Sequence, residues 1–159
     1  MNIKKQKSFV LIEMVFYAAL IGFLSFAIFS TLNIAKRERV NAVAFSEVNY
    51  QGIMISSFIS KKIKGADNVV IEGNDKLRIY PYENSEPITL SFIDNGLEIK
   101  DTNGSERINN KKVSISYFFV KDRSVVENEN SISFSFVASY SNELGYKYSK
   151  KFYGSASTK

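Results

Sequence analysis

From Met14 to Ala35 the chain carries no Asp, Glu, Lys or Arg. As a helix rising about 1.5 Å per residue this run is roughly 33 Å long, enough for a hydrocarbon core of about 30 Å. Val15, Phe16, Leu20, Ile21, Phe23, Leu24, Phe26, Ile28 and Phe29 make it apolar on every side. A soluble protein buries such a helix only inside an enclosing domain, and a chain of 159 residues leaves little beyond one modest domain to do so. The expectation is therefore a membrane-spanning segment rather than a core helix. A secretory signal is the nearer competitor, because Lys4, Lys5 and Lys7 form a basic start. Such signals carry an apolar stretch of about 7–15 residues and then a small-residue cleavage site. This run is longer and leads into Lys36-Arg37-Glu38-Arg39 with a helical pattern beyond it.

The rest of the composition narrows function by what it lacks. There is no Cys and no His, which removes a disulfide framework, thiolate metal sites, the commonest general base and the usual triad partner. No nucleophile with a base, carboxylate pair in a cleft or Gly-rich phosphate loop stands out, so no enzyme activity and no cofactor are expected. The net charge of +5 is spread over small clusters, among them Lys61-Lys62-Ile63-Lys64, Lys111-Lys112 and Lys150-Lys151. Membrane topology accounts better than nucleic acid for the basic groups flanking the apolar run. DNA contact is a weakly supported alternative.

Glu13 stands inside the apolar run, between Phe9-Val10-Leu11-Ile12 and Met14-Val15-Phe16. Anchoring does not require it, and a central acidic residue costs about 2.5–3.5 kcal/mol on insertion scales, less near a helix end. Its blandest role is to mark the interfacial start of the span. Together, however, Lys5-Gln6-Lys7-Ser8 followed by Phe9-Val10-Leu11-Ile12-Glu13-Met14 resembles the prepilin cleavage and methylation signal of type IV pilins and type II secretion pseudopilins. The shared features are a short basic leader, a small residue before the cut, Phe as first mature residue, aliphatic positions after it, and Glu as the fifth mature residue. Ser8 departs from the Gly or Ala usual in that family.

The resemblance implies cleavage between Ser8 and Phe9 by a prepilin peptidase, N-methylation of Phe9, a cytoplasmic leader, and a C-terminal domain across the membrane that joins a pilus or pseudopilus. Basic residues alone leave orientation tied, since Lys4, Lys5 and Lys7 face Lys36, Arg37 and Arg39 across the run. Within a fibre core the Glu13 carboxylate would be offset by the Phe9 amine of a neighbouring subunit and so set axial register, making Glu13 the candidate assembly residue. The implied partners are membrane lipid, the peptidase and other pilin or pseudopilin subunits. The long β-rich part and the proline-free anchor are similar to minor pilins and J-class minor pseudopilins. An unprocessed single-pass anchor carrying an extracytoplasmic binding module is the alternative from another class.

Beyond the span, Val40, Val43, Val48, Ile55, Ile59 and Ile63 keep helical spacing. One helix is expected from Phe9 to about Lys64, capped by Gly65, with an amphipathic second half that needs a partner surface. After Gly65 the pattern turns to strands: Val69–Glu72, Leu77–Tyr82, Ile88–Ile93, Leu97–Lys100, Val113–Val120, Ser131–Ser139 and Tyr146–Tyr153. Asp94-Asn95-Gly96 and Asn103-Gly104 are the expected turns. In Val113–Val120 the alternation predicts Val113, Ile115, Tyr117 and Phe119 on one face. Lys121 to Asn130 reads as an exposed loop whose Asp122, Glu127, Asn128, Glu129 and Asn130 lack calcium-loop spacing, and Gly154 to Lys159 as a short low-complexity end. The organisation is thus a leader at 1–8, an assembly helix at 9–35, its amphipathic continuation at 36–65 and a β-rich domain at 66–159. The fold class is α+β, a long N-terminal helix packed on antiparallel β-sheet as in pilins.

Overall fold

The computed structural model describes the backbone of residues 3–73, 75–82, 86–102, 104–124, 131–142 and 145–158, with side chains from Val10 onward. Helix α1 (Ile3–Lys64) is followed by eight strands: β1 (Ala66–Ile71), β2 (Lys76–Pro81), β3 (Ile88–Ile93), β4 (Gly96–Asp101), β5 (Gly104–Arg107), β6 (Val113–Asp122), β7 (Ser131–Ser141) and β8 (Lys147–Ser157). The architecture is α+β with antiparallel sheets. The chain divides into two compact units, Met1–Val40 and Asn41–Lys159.

In the first unit every described side chain from Val10 to Arg39 is exposed except the half-buried Ser30. In the second, the α1 residues from Asn41 onward bury one stripe, Ala44, Val48, Ile55, Ile59 and Ile63. Ala44 lies four positions before Val48 and joins the stripe, whereas Val43, expected there, lies five before it and is exposed. Gln51 and Gly52 fill the middle of the same stripe. Gly52 is small for a reason of space, because a Cβ there would fall inside the Phe152 ring. That ring stacks in turn on Phe136, with centroids 5.4 Å apart.

The helix ends at Lys64, and the Gly65 N–H still reaches the Lys61 carbonyl at 3.1 Å. Gly65 does not adopt a left-handed φ, so the expected glycine cap is replaced by an immediate passage into β1 at Ala66. The strands form two sheets, β1-β2-β3-β4-β5 and β6-β7-β8. Asp94 and Asn95 make the β3–β4 hairpin turn with φ of 48° and 56°. Both are left-handed, as a two-residue type I′ turn requires, and Asx residues tolerate this best after glycine. Gly96 is already the first residue of β4, and the Arg107 guanidinium occupies the space its side chain would need. On the β1–β2 hairpin, Glu72 is clamped by Lys76 at 2.7 Å and Arg78 at 2.9 Å. The Lys76 hydrogen bond, with the nearby Arg78 charge, holds its carboxyl below the usual carboxylate range.

Three strand expectations are corrected. β5 pairs with β4 over Gly104–Arg107, a stretch too polar to carry an apolar alternation. β8 runs to Ser157, so the polar end is a paired strand through that residue, because backbone pairing with β7 does not depend on side-chain hydrophobicity. Finally, β6 changes face part-way. Ile115 pairs with Ala138 and Tyr117 with Val137, leaving Ser116 as an extra residue in a bulge. A bulge shifts the two-residue alternation by one. Val113 and Ile115 therefore share the buried face with Phe118 and Val120, while Tyr117 and Phe119 are turned outward.

Both sheets contribute to one core with the helix stripe, including Leu77, Ile79, Leu90 and Leu97 from the first and Ile115, Ile132, Phe136 and Ala138 from the second. Residues between the sheets tie them together. The buried Asn109 side chain accepts from the Leu97 N–H at 2.9 Å and donates to the Val113 carbonyl at 2.6 Å. Asn110 donates its N–H to Gln51 Oε1 at 3.3 Å and its side-chain amide to Glu47 at 3.3 Å. The Asn95 carbonyl accepts from the Ile115 N–H at 2.8 Å. Substituting Gly52→Ala should cost about 1–3 kcal/mol despite better helix propensity, because the Phe152 ring must leave its stacked position. The check is the urea midpoint of the full chain in detergent micelles, which should fall for Gly52→Ala and partly recover when Phe152→Leu is added.

Candidate membrane anchor and assembly segment

The first unit holds the residues singled out by the sequence. α1 is long and apolar enough to cross a membrane, and none of its most apolar stretch is buried. Phe23 and Phe26 are each 72% exposed, a costly display in water and a natural one in lipid. Within lipid every backbone polar group must be satisfied inside the segment, which a helix does by itself. The side-chain hydroxyl of Thr31 is satisfied in the same way, donating to the Ala27 carbonyl at 2.8 Å. No proline interrupts the span; Pro81 and Pro87 both lie far beyond it. Length, composition and exposure together are those of a single-pass membrane anchor.

The predicted processing and assembly residues fall at the start of this helix. Ser8 and Phe9 lie within α1, which begins at Ile3, upstream of the expected start at Phe9; their side chains lie outside the described residues. Glu13 is on α1 and exposed. One helical turn separates positions 9 and 13, so both are near one face of the same helix end. Phe16 and Tyr17 follow immediately, with ring centroids 6.5 Å apart. A carboxylate one turn into the apolar part of α1, which follows Lys4, Lys5 and Lys7, is near enough to the interface to stay hydrated, or to meet a cation supplied by another chain.

In the second unit the residues weighed for a calcium loop are only partly described, and those from 125 to 130 lie outside the described residues. Asp122 is occupied locally: it accepts from the Ser124 N–H at 2.8 Å and the Ser124 hydroxyl at 2.5 Å. These bonds hold its carboxyl below the ordinary aspartate range. Among the described residues no group of His, Cys, Asp and Glu is arranged to hold a metal ion.

Comparison with protein-family models, curated proteins and solved structures finds no match to this chain. The architecture of one long apolar N-terminal helix and antiparallel sheet is compatible with a pilin-like fold. Sequence reading did not find the Asn109–Asn110 junction, since a pair of asparagines between strands reads only as a turn.

If the first unit is a transmembrane anchor, a lysine at its centre should oppose insertion by about 2.5–3.5 kcal/mol. Phe23→Lys is expected to move much of the chain from the alkali-resistant membrane fraction to the extractable one, while Val43→Lys, at an exposed position of the second unit, leaves the distribution unchanged.

Proposed function

We propose that the chain is a type IV pilin-like or pseudopilin subunit, a minor one, that assembles into a filament after removal of residues 1–8. The observation that carries this reading is the sequence Lys7-Ser8-Phe9-Val10-Leu11-Ile12-Glu13 set at the head of an uninterrupted apolar helix. The α+β architecture, with a helix stripe covered by antiparallel sheets, supports it. A prepilin peptidase would cut between Ser8 and Phe9 and methylate the new Phe9 amine. Cleavage converts a neutral peptide nitrogen into a cation four residues from Glu13, at the end of an apolar helix. That new charge is the chemical gain of processing: a neighbouring subunit's Glu13 then finds its counter-ion only at one axial stagger.

Breaking such a pair leaves an uncompensated charge in an apolar fibre at a cost of roughly 3–5 kcal/mol. Structural assembly rather than catalysis is the role that this pairing and the absence of His and Cys support. The subunit's partners would be the peptidase, lipid before assembly, and other pilin or pseudopilin chains. Its domain would lie on the extracytoplasmic side.

Two experiments test the reading. Intact-mass and N-terminal peptide analysis of protein expressed with a prepilin peptidase should show loss of Met1 to Ser8 and a methylated Phe9. An uncut chain beside a processed control would replace the proposal with that of a permanent membrane-anchored module. In the native host, Glu13→Ala should leave processing and membrane insertion intact yet reduce recovery in sheared filaments at least tenfold, and normal recovery would remove the register role of Glu13.

A further inference from the structure

The bulge at Ser116 turns two aromatic side chains of β6 onto the outer face of the three-stranded sheet, where they meet an unusual set of neighbours. Across that face, Phe119 pairs with Ser135 and Ser135 with Tyr153, while Lys121 pairs with Ser133 and Ser133 with Ser155. Large side chains thus stand on the two edge strands, with serines between them on the central one. Phe119 and Tyr153 are two strand spacings apart, roughly 9.6 Å. The result is a trough of about 450 Å³ lined by Phe119, Lys121, Arg123, Ser133, Ser135 and Tyr153. Ser135, at its floor, is 8% exposed, whereas Tyr153 on the wall is 72% exposed.

The charge of this face is one-sided. Lys121 and Arg123 line the trough. Lys151 lies beside it, with its ammonium 5.1 Å from the Tyr153 ring centre and 5.4 Å from that of Tyr117. Alternation along β6, β7 and β8 places Ser, Tyr, Phe, Val and Lys on the outer rows and, among the described residues, no carboxylate. Asp122 belongs to the opposite row and is held by Ser124. The described cations of this face, Lys121, Arg123 and Lys151, are matched in charge by an anionic ligand.

We infer that this trough is a binding site for an acidic oligosaccharide, a chain of sugar rings bearing carboxylates. On the serine floor the Ser133 hydroxyl donates to the Lys121 carbonyl at 3.3 Å and keeps its acceptor side for a sugar hydroxyl, while Ser135 adds a second hydroxyl. Tyr153 offers an exposed ring on which the C–H face of one sugar can pack, and the flanking cations take the carboxylates. The width is too small for an α-helix of about 10–12 Å diameter. A single-stranded nucleic acid needs successive aromatic platforms. Here Tyr117 and Phe119 are stacked on each other at 6.3 Å and 14°, so their facing surfaces are already in use, and Tyr153, exposed but with Lys151 over its ring, offers a single platform rather than a series. The site belongs to the second unit and does not rest on processing at Ser8 or on filament assembly.

The test is titration of the full chain in detergent micelles with fluorescent oligogalacturonate, followed by anisotropy, beside a neutral galactose oligomer and an oligothymidylate. Saturable binding of the uronate oligomer is expected, with little binding of the neutral one. Lys121→Ser with Lys151→Ser, and separately Tyr153→Ala, should each weaken it at least about tenfold, the loss of a charge-assisted or packed contact. Lys61→Ser with Lys62→Ser removes the same net charge elsewhere and should leave binding unchanged. Circular dichroism of each variant should match the parent, so that lost binding is not lost fold. No saturable uronate binding, equal binding of the neutral oligomer, or an equal loss in the Lys61/Lys62 variant would overturn the inference. Tighter, Tyr153-dependent binding of oligothymidylate would overturn it in favour of a nucleic-acid site.

Discussion

The second unit depends on the burial of one helix stripe. Val48, Ile55, Ile59 and Ile63 are fully enclosed, and each such side chain contributes about 1.5–3 kcal/mol relative to exposure. Among the described residues, this stripe and the apolar faces of both sheets form one buried cluster. The five-stranded sheet supplies Leu77, Ile79, Leu90 and Leu97, the three-stranded sheet supplies Ile115, Ile132, Phe136 and Ala138, and both sets join the helix residues in one cluster. Gly52 lets the helix approach closely enough for Phe152 to pack flat against Phe136 while touching the helix.

Packing alone does not decide how two sheets share one helix, because apolar contact has no direction. Directed polar contacts supply that. Asn109 gives the Leu97 N–H an acceptor beside the Ile108-to-Leu97 backbone bond and gives the Val113 carbonyl a donor, and Asn110 carries the link to Gln51 and Glu47 on the helix. A buried amide with each hydrogen bond made is stabilising, and the same amide with one lost is costly. The junction therefore selects one arrangement of the two sheets.

The two units answer to different solvents. The first satisfies its backbone within the helix and leaves its side chains outward, as a lipid environment demands. The second folds as a water-soluble domain does, with apolar residues inside and Ser, Lys and Tyr outside. In the proposed subunit the former gives attachment and assembly, and the latter gives the surface that meets the exterior. The outer face of β6, β7 and β8 is where the proposed ligand chemistry is concentrated.

The membrane span, the helix extending to Lys64 and most strands were legible in the sequence, because they rest on uncharged length and on periods of 3.6 and 2 that the residues themselves display. The reading of Ser8, Phe9 and Glu13 as a processing and assembly signal rests on adjacent residues of the sequence alone and belongs to the proposal. What only the tertiary structure decided were features set by partners distant in sequence. β5 and the end of β8 are strands because β4 and β7 pair with them, not because their own side chains alternate. Ser116 became a bulge because the registers of β6 and β7 on its two sides differ by one residue, and with that single step Tyr117 and Phe119 left the predicted core for the surface. The division into two sheets and the trough between Phe119 and Tyr153 follow from those pairings, since strand register is a relation between two segments and neither segment carries it alone.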